Sequence, residues 1–237
     1  MNNELVILIL TATSIGFIHT ILGPDHYLPF IMMNKAGKWS NKKTFWVTIL
    51  SGLGHVGSSV LIGLIGILLG IAVNKLQFFE SVRGNFAAWL LIGFGFGYTV
   101  WGLRKVYRKK PHIHLHYHPE GHTHSHQHMH FHSHTHIHEE TKTANLTPWI
   151  LFTIFVLGPC EPLIPLLMYP AAKASYTSLF LVTSSFGIVT IATMTSIVFL
   201  TIFGLNKLNL KKIEPYSHAL AGGTIFLSGL GMVFLGL

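Results

Sequence analysis

The sequence predicts an all-α polytopic membrane protein: six transmembrane helices in a 3+3 inverted repeat, with the first and fourth helices broken. Three observations predict it. Of 237 residues, 50% are hydrophobic and only 10% charged, against about 25% charged in soluble domains. Apolar stretches longer than the ~18 residues that mark a spanning helix recur along the chain. Finally, Ile21-Leu22-Gly23-Pro24-Asp25-His26-Tyr27-Leu28-Pro29-Phe30 returns as Val156-Leu157-Gly158-Pro159-Cys160-Glu161-Pro162-Leu163-Ile164-Pro165. An echo at nearly the same offset sets Gly95–Leu103 against Gly229–Leu237. Paired, Gly/Pro-interrupted apolar helices in the two halves of a chain point to a central binding site between them.

The first helix is expected over 4–34, broken at Gly23-Pro24, where glycine and proline end the hydrogen-bond ladder. Met1-Asn2-Asn3-Glu4 lacks the basic n-region of a signal peptide, so this segment is expected to be retained. A second helix over 44–74 is longer than a ~20-residue perpendicular span. Its glycines (Gly52, Gly54, Gly57, Gly63, Gly66, Gly70) suit close helix packing or a kink. The remaining helices are expected over 84–107, 147–171 (broken at Gly158-Pro159), 176–205 and 216–237. This divides the chain into a first three-helix repeat (1–110), a histidine-rich loop (111–146) and a second repeat (147–237).

The net charge of +8 reads as topology rather than as affinity for nucleic acid, which is not expected as a partner. The loop after helix one carries Lys35, Lys38, Lys42 and Lys43. The loop after helix three carries Arg104, Lys105, Arg108, Lys109, Lys110 and Lys142, and the loop after helix five carries Lys207, Lys211 and Lys212. These hold 13 of the 16 Lys and Arg residues; Lys75, Arg83 and Lys173 fall on the other side. The positive-inside rule then puts the basic loops in the cytoplasm and both termini outside, as in a bacterial inner (plasma) membrane protein. Trp39, Trp46, Trp149, Tyr176 and Tyr216 fall near helix ends, where amphipathic rings prefer the interface.

Thirteen of the 17 histidines lie in the loop, at His112, His114, His116, His118, His122, His124, His126, His128, His130, His132, His134, His136 and His138. Imidazole binds Ni²⁺, Co²⁺, Zn²⁺ and Cu²⁺, and such tracts read as metal-collecting. A pH-dependent charge switch and a plain spacer are the alternatives. The tract is polar and repetitive, and is expected to be unstructured without metal.

Asp25 and Glu161 are the acids expected within the spans, one in each copy of the motif. Charged groups at that depth are costly and mark function. His19, His26, His55 and Cys160 lie near them in sequence or in a neighbouring helix. An acid after the break also suits the positive end of the following helix; capping alone leaves three histidines and a thiol unexplained. His19, Asp25, His26, His55 and Glu161, with Cys160, are the candidate metal ligands. Their chemistry suits Ni²⁺, Co²⁺ or Zn²⁺ and not Mg²⁺ or Ca²⁺. The hydroxyls Thr183, Ser184, Ser185, Thr190, Thr193, Thr195 and Ser196 either line a hydrated path or bond back to their own helix.

His19-Thr20-Ile21-Leu22-Gly23-Pro24-Asp25-His26, followed by Ser51-Gly52-Leu53-Gly54-His55, resembles the nickel/cobalt transporter superfamily. Within it the chain is similar to the compact six-helix branch of nickel/cobalt efflux proteins and urease-associated membrane proteins. The resemblance covers both halves and the histidine loop. It implies ligand roles for His19, Asp25 and His26. High-affinity permeases of that superfamily separate the first His from Asp-His by four residues; here the number is five. Gly158-Pro159-Cys160-Glu161-Pro162 also resembles the membrane electron carriers of cytochrome c maturation. Those need two cysteines to pass a disulfide across the membrane, and this chain has one.

The expected function is transport of Ni²⁺ and/or Co²⁺ by alternating access about a midplane site, with export favoured because a cytoplasmic collecting loop sits on the loading side. The chain is not expected to be an enzyme or to hold a tight cofactor; the metal is cargo. Lipid and divalent cations are the expected partners, with a homo-oligomer open. A zinc or broad divalent-metal exporter, a thiol-redox module and a urease or hydrogenase accessory protein are the rivals.

Overall fold

The computed structural model describes residues 3–108, 112–117, 123–128, 147–173, 175–209 and 213–236. In the first half, helix α1 (Asn3–Leu22) runs into a 3₁₀ turn (Pro24–His26) and continues as α2 (Leu28–Ala36). It is followed by α3 (Asn41–Leu68) and α4 (Val73–Arg108). In the second half, α5 (Thr147–Leu157) and α6 (Leu163–Ala172) flank the other break, and α7 (Tyr176–Asn206) and α8 (Ser217–Leu235) complete it. Five of these, α1, α3, α4, α7 and the segment containing α8, are long and apolar enough to cross a membrane; α5 and α6 are short apolar helices. Large apolar side chains such as Leu10, Leu61, Phe96, Phe180 and Leu200 are exposed on the outside, the surface of a protein solvated by lipid.

Both breaks fall where the motif predicts. Helix α4 differs: it begins at Val73, not near residue 84, so Glu80 and Arg83 belong to a helix rather than to a polar loop. Their charges are compatible with the helix because they pair with each other one turn apart, Arg83 Nη2 lying 2.7 Å from Glu80 Oε2. Helix α3 ends earlier than expected. Gly70 adopts φ +65°, and the Ile71 amide closes on the Gly66 carbonyl at 2.8 Å, as in a glycine C-terminal cap. Trp39 is buried rather than interfacial, in one core cluster with Met33, Ala36, Leu151 and Ile225, and its backbone is tied to Asn34 on both sides, amide to carbonyl at 3.0 Å and carbonyl to side-chain amide at 3.1 Å.

The four long inner helices cross in antiparallel pairs through small residues. A Cβ on Gly95 of α4 would strike the Phe226 amide and the Gly222 carbonyl of α8. One on Gly229 would lie 3.0 Å from both the Ile92 amide and the Ala88 carbonyl. These contacts are reciprocal: Gly95 and Gly229, Ile92 and Phe226, Ala88 and Gly222 are each 134 residues apart. The same holds where α3 crosses α7. A Cβ on Gly52 would lie 3.0 Å from Ile191 Cγ1, and one on Gly187 3.3 Å from Val56 Cγ1; here Gly52 and Gly187, and Val56 and Ile191, are each 135 residues apart, as are Gly23 and Gly158. Most glycines of α3 thus serve packing, as close approach requires, and the helix runs unbroken.

In the histidine-rich segment, β1 (His112–Tyr117) and β2 (Thr123–His128) pair antiparallel, with His112 opposite His128, His114 opposite His126 and His116 opposite His124. An unstructured loop was the expectation for these residues; strict alternation is also the strand period. His118, His122, His130, His132, His134, His136 and His138 lie outside the described residues.

Candidate metal centre

The break after Leu22 sets three imidazoles against one another. His19 sits on the last turn of α1, His26 on the 3₁₀ turn and His55 midway along α3. Ring centroids are 4.8 Å apart for His19–His26, 4.9 Å for His26–His55 and 6.4 Å for His19–His55. One ring nitrogen from each lies within 4.8 Å of the others, and among the described residues these three form the group placed to hold a metal ion. His26 and His55 are both buried.

The outer nitrogens decide what the inner ones can do. His26 Nδ1 faces the Gly23 carbonyl at 3.1 Å and Asp25 Oδ1 at 3.3 Å. His55 Nδ1 faces the Phe155 carbonyl at 3.4 Å. All three partners are acceptors, so they are satisfied by a proton on Nδ1, which fixes the tautomer of each neutral ring. That leaves a lone pair on each Nε2, and the two Nε2 atoms stand 3.3 Å apart. Two lone pairs cannot bond to each other. Two nitrogens bound to one Zn²⁺-like ion at ~2.0–2.1 Å stand about 3 to 3.4 Å apart, so the spacing suits a shared cation. His19 Nε2 is also buried and makes no hydrogen bond.

Asp25 lies behind His26 on Nδ1, the position of a carboxylate that orients a metal-binding histidine; its carboxylate is not among the grouped ligand atoms. Glu161 is separate from the triad yet shares a space with it. A cavity of about 470 Å³ is lined by His19, Gly84, Asn85, Pro159, Glu161 and Met232, among others. Cys160 is wholly buried in a core cluster with Ala12, Val56, Leu163 and Phe186, and its sulfur is not among the grouped ligand atoms.

The second break is held by residues that sequence reasoning missed. Glu80 is fully buried, and its Oε2 accepts from Ser59 Oγ at 2.9 Å, the Cys160 amide at 3.0 Å and Arg83. Arg83 Nη2 also donates to the Gly158 carbonyl at 3.0 Å and to Ser59 Oγ. The available signal was a Glu-x-x-Arg pair inside an otherwise apolar run, which marks a helix turn as readily as a loop. The second break meanwhile touches the first through His55: Phe155 accepts from its Nδ1, and a Cβ on Gly158 would lie 3.2 Å from that atom.

No protein family, curated protein or solved structure matches the chain. The geometry of the site is therefore what speaks for its function.

Proposed function

We propose that this protein carries a borderline divalent transition metal, Ni²⁺ and/or Co²⁺, across a bacterial inner membrane, with His19, His26 and His55 as the binding site. The single observation that carries this reading is the pair of Nε2 lone pairs 3.3 Å apart, each backed by a fixed acceptor on its own Nδ1. Buried polar atoms normally find partners; with both rings neutral, these two Nε2 atoms are partnered by a shared cation. Neutral imidazoles favour Ni²⁺, Co²⁺ and Zn²⁺ over Mg²⁺, and the family resemblance of the motif favours the first two.

Transport, rather than storage, is supported by the setting. The site lies at a break in an apolar helix, as in carriers with discontinuous helices. Six spans are reached if α1 with α2, and α5 with α6, each make one crossing. An inverted repeat is supported by α3 crossing α7, and α4 crossing α8, in antiparallel fashion through equivalent residues at offsets of 135 and 134. The two halves would rock about the triad, with the cavity at Glu161 as the opening on one side. The histidine tract would gather metal on the cytoplasmic side, which favours export. A zinc exporter shares every one of these features.

Two measurements test the reading. Co²⁺ added to detergent-purified protein should give visible ligand-field bands that disappear in His26→Ala and His55→Ala. Proteoliposomes should then take up Ni²⁺ or Co²⁺, compared with Zn²⁺ and Mn²⁺ under a proton gradient of either sign. Bands without flux would leave a sensor or accessory protein; bands that persist in both variants would remove the site.

A further inference from the structure

The cavity at Glu161 reaches the triad at His19, and a carrier needs a second half to its route. Helix α3 holds a buried polar stripe on the face that bears His55. Thr44, Thr48, Ser51, His55 and Ser59 are all buried, and their spacing of three or four residues keeps them on one side of the helix. Ser59 lies beyond His55 toward Glu80 and the cavity wall. Ser51, Thr48 and Thr44 lead the other way, about one, two and three turns from His55, some 6, 10 and 16 Å along the axis.

Two of those hydroxyls are unusual. Elsewhere on these helices Thr20, Thr99, Thr153, Thr183, Thr224 and Ser228 each donate to the carbonyl four residues back, the ordinary fate of such side chains in apolar helices. Thr48 Oγ1 and Ser51 Oγ are wholly buried and make no hydrogen bond. Thr190 Oγ1 on α7 is likewise unbonded but faces Gly16 of α1, a Cβ on which would lie 3.2 Å away, and Thr195 Oγ1 on α7 is unbonded too. The two unbonded hydroxyls of α3 lie on the helix face that bears His55, about one and two turns from it. At the far end Asn34, also buried, donates to Thr44 Oγ1 at 2.8 Å and to the Trp39 carbonyl at 3.1 Å, closing the stripe.

Resting on the transport reading, we propose that the closed half of the cation's route runs from the triad past Ser51 and Thr48 and is stoppered by the Asn34–Thr44 hydrogen bond. Hydroxyl oxygens replace the cation's water weakly enough for it to leave again, a condition any conducting path must meet. When α3 and α7 part, these oxygens face a hydrated gap; in the closed form they have no partner.

The test separates the path from the site. In proteoliposomes, Thr48→Val combined with Ser51→Ala should lower Co²⁺ flux at saturating metal tenfold or more, while the Co²⁺ bands of the triad stay unchanged and report an intact fold. Undiminished flux overturns the path and leaves the transport reading standing; a wild-type chain with no flux overturns the transport reading. Thiol labelling gives an answer independent of flux. In a Cys160→Ser background, which has no other cysteine, Thr48→Cys and Ser51→Cys should react with a charged, water-soluble methanethiosulfonate. Leu50→Cys, on the exposed apolar face, is the control. Reactivity no greater than that of the control overturns a hydrated stripe.

Discussion

The two helix breaks use one backbone device and answer it with different chemistry. Each ends an apolar helix at Gly-Pro. At the first, the Gly23 carbonyl accepts from the His26 amide and faces His26 Nδ1, both from within the motif. At the second, the Gly158 carbonyl is met by Arg83, from α4. An imidazole that donates through Nδ1 keeps a lone pair on Nε2; a guanidinium is a donor at every nitrogen and keeps none. The first break therefore offers nitrogen atoms that could hold a cation, while the second already contains a fixed positive charge, neutralised by Glu80. The two motifs are similar in sequence, and the side chain facing the glycine carbonyl differs between them, an imidazole at one and a guanidinium at the other.

The largest effect expected from breaking this comparison is at the second break. Arg83→Leu strands the Glu80 carboxylate, and removing one partner of a buried ion pair costs about 3–5 kcal/mol. Thermal unfolding in detergent should show the loss; a variant as stable as wild type would show that the pair is not a clamp. Next comes the first break, where His26→Ala should weaken Co²⁺ binding by about 100-fold or more, beyond the ~10–100-fold typical of losing an outer-shell partner. Equilibrium titration decides it, and His55→Ala should match it. Asp25→Asn removes such an outer-shell partner and should cost that ~10–100-fold without unfolding the protein. A loss of all binding would instead make Asp25 a direct ligand, as its place in the motif suggests.

Smaller effects should appear away from the triad. Glu161→Gln should leave the Co²⁺ bands intact yet slow uptake several-fold, because a carboxylate in the cavity wall concentrates cations there. Altered bands would move Glu161 into the site. Deleting residues 112–138 should weaken uptake at low metal while sparing the rate at saturation. Loss of flux in a well-expressed deletion would place the tract in the mechanism.

Much of this was legible in the residues. Apolar length located the long helices, and the repeated Gly-Pro located both breaks to the residue, because few other pairs stop a helix so reliably. His19, His26 and His55 stood out as polar groups at apolar depth. The start of α4 was not legible: Glu80 and Arg83 look like loop charges until each is seen to neutralise the other and grip a broken backbone 75 or more residues away. Nor could sequence rank the ligand candidates. Asp25, His26, Cys160 and Glu161 all have suitable atoms, and proximity in the motif treats them alike.

Sequence by itself determined composition, the presence of long apolar helices and the two breaks, since these depend on hydrophobic length and on the local geometry of glycine and proline. Only the tertiary structure decided which side chains meet. It set His26 Nε2 against His55 Nε2, put Asp25 behind His26, gave Glu161 to the cavity wall and Cys160 to the Glu80–Arg83 clamp. The physical reason is that a helix break is local, whereas the direction of a lone pair is fixed by whatever occupies the opposite side of the ring, and for His55 that partner is a carbonyl 100 residues away.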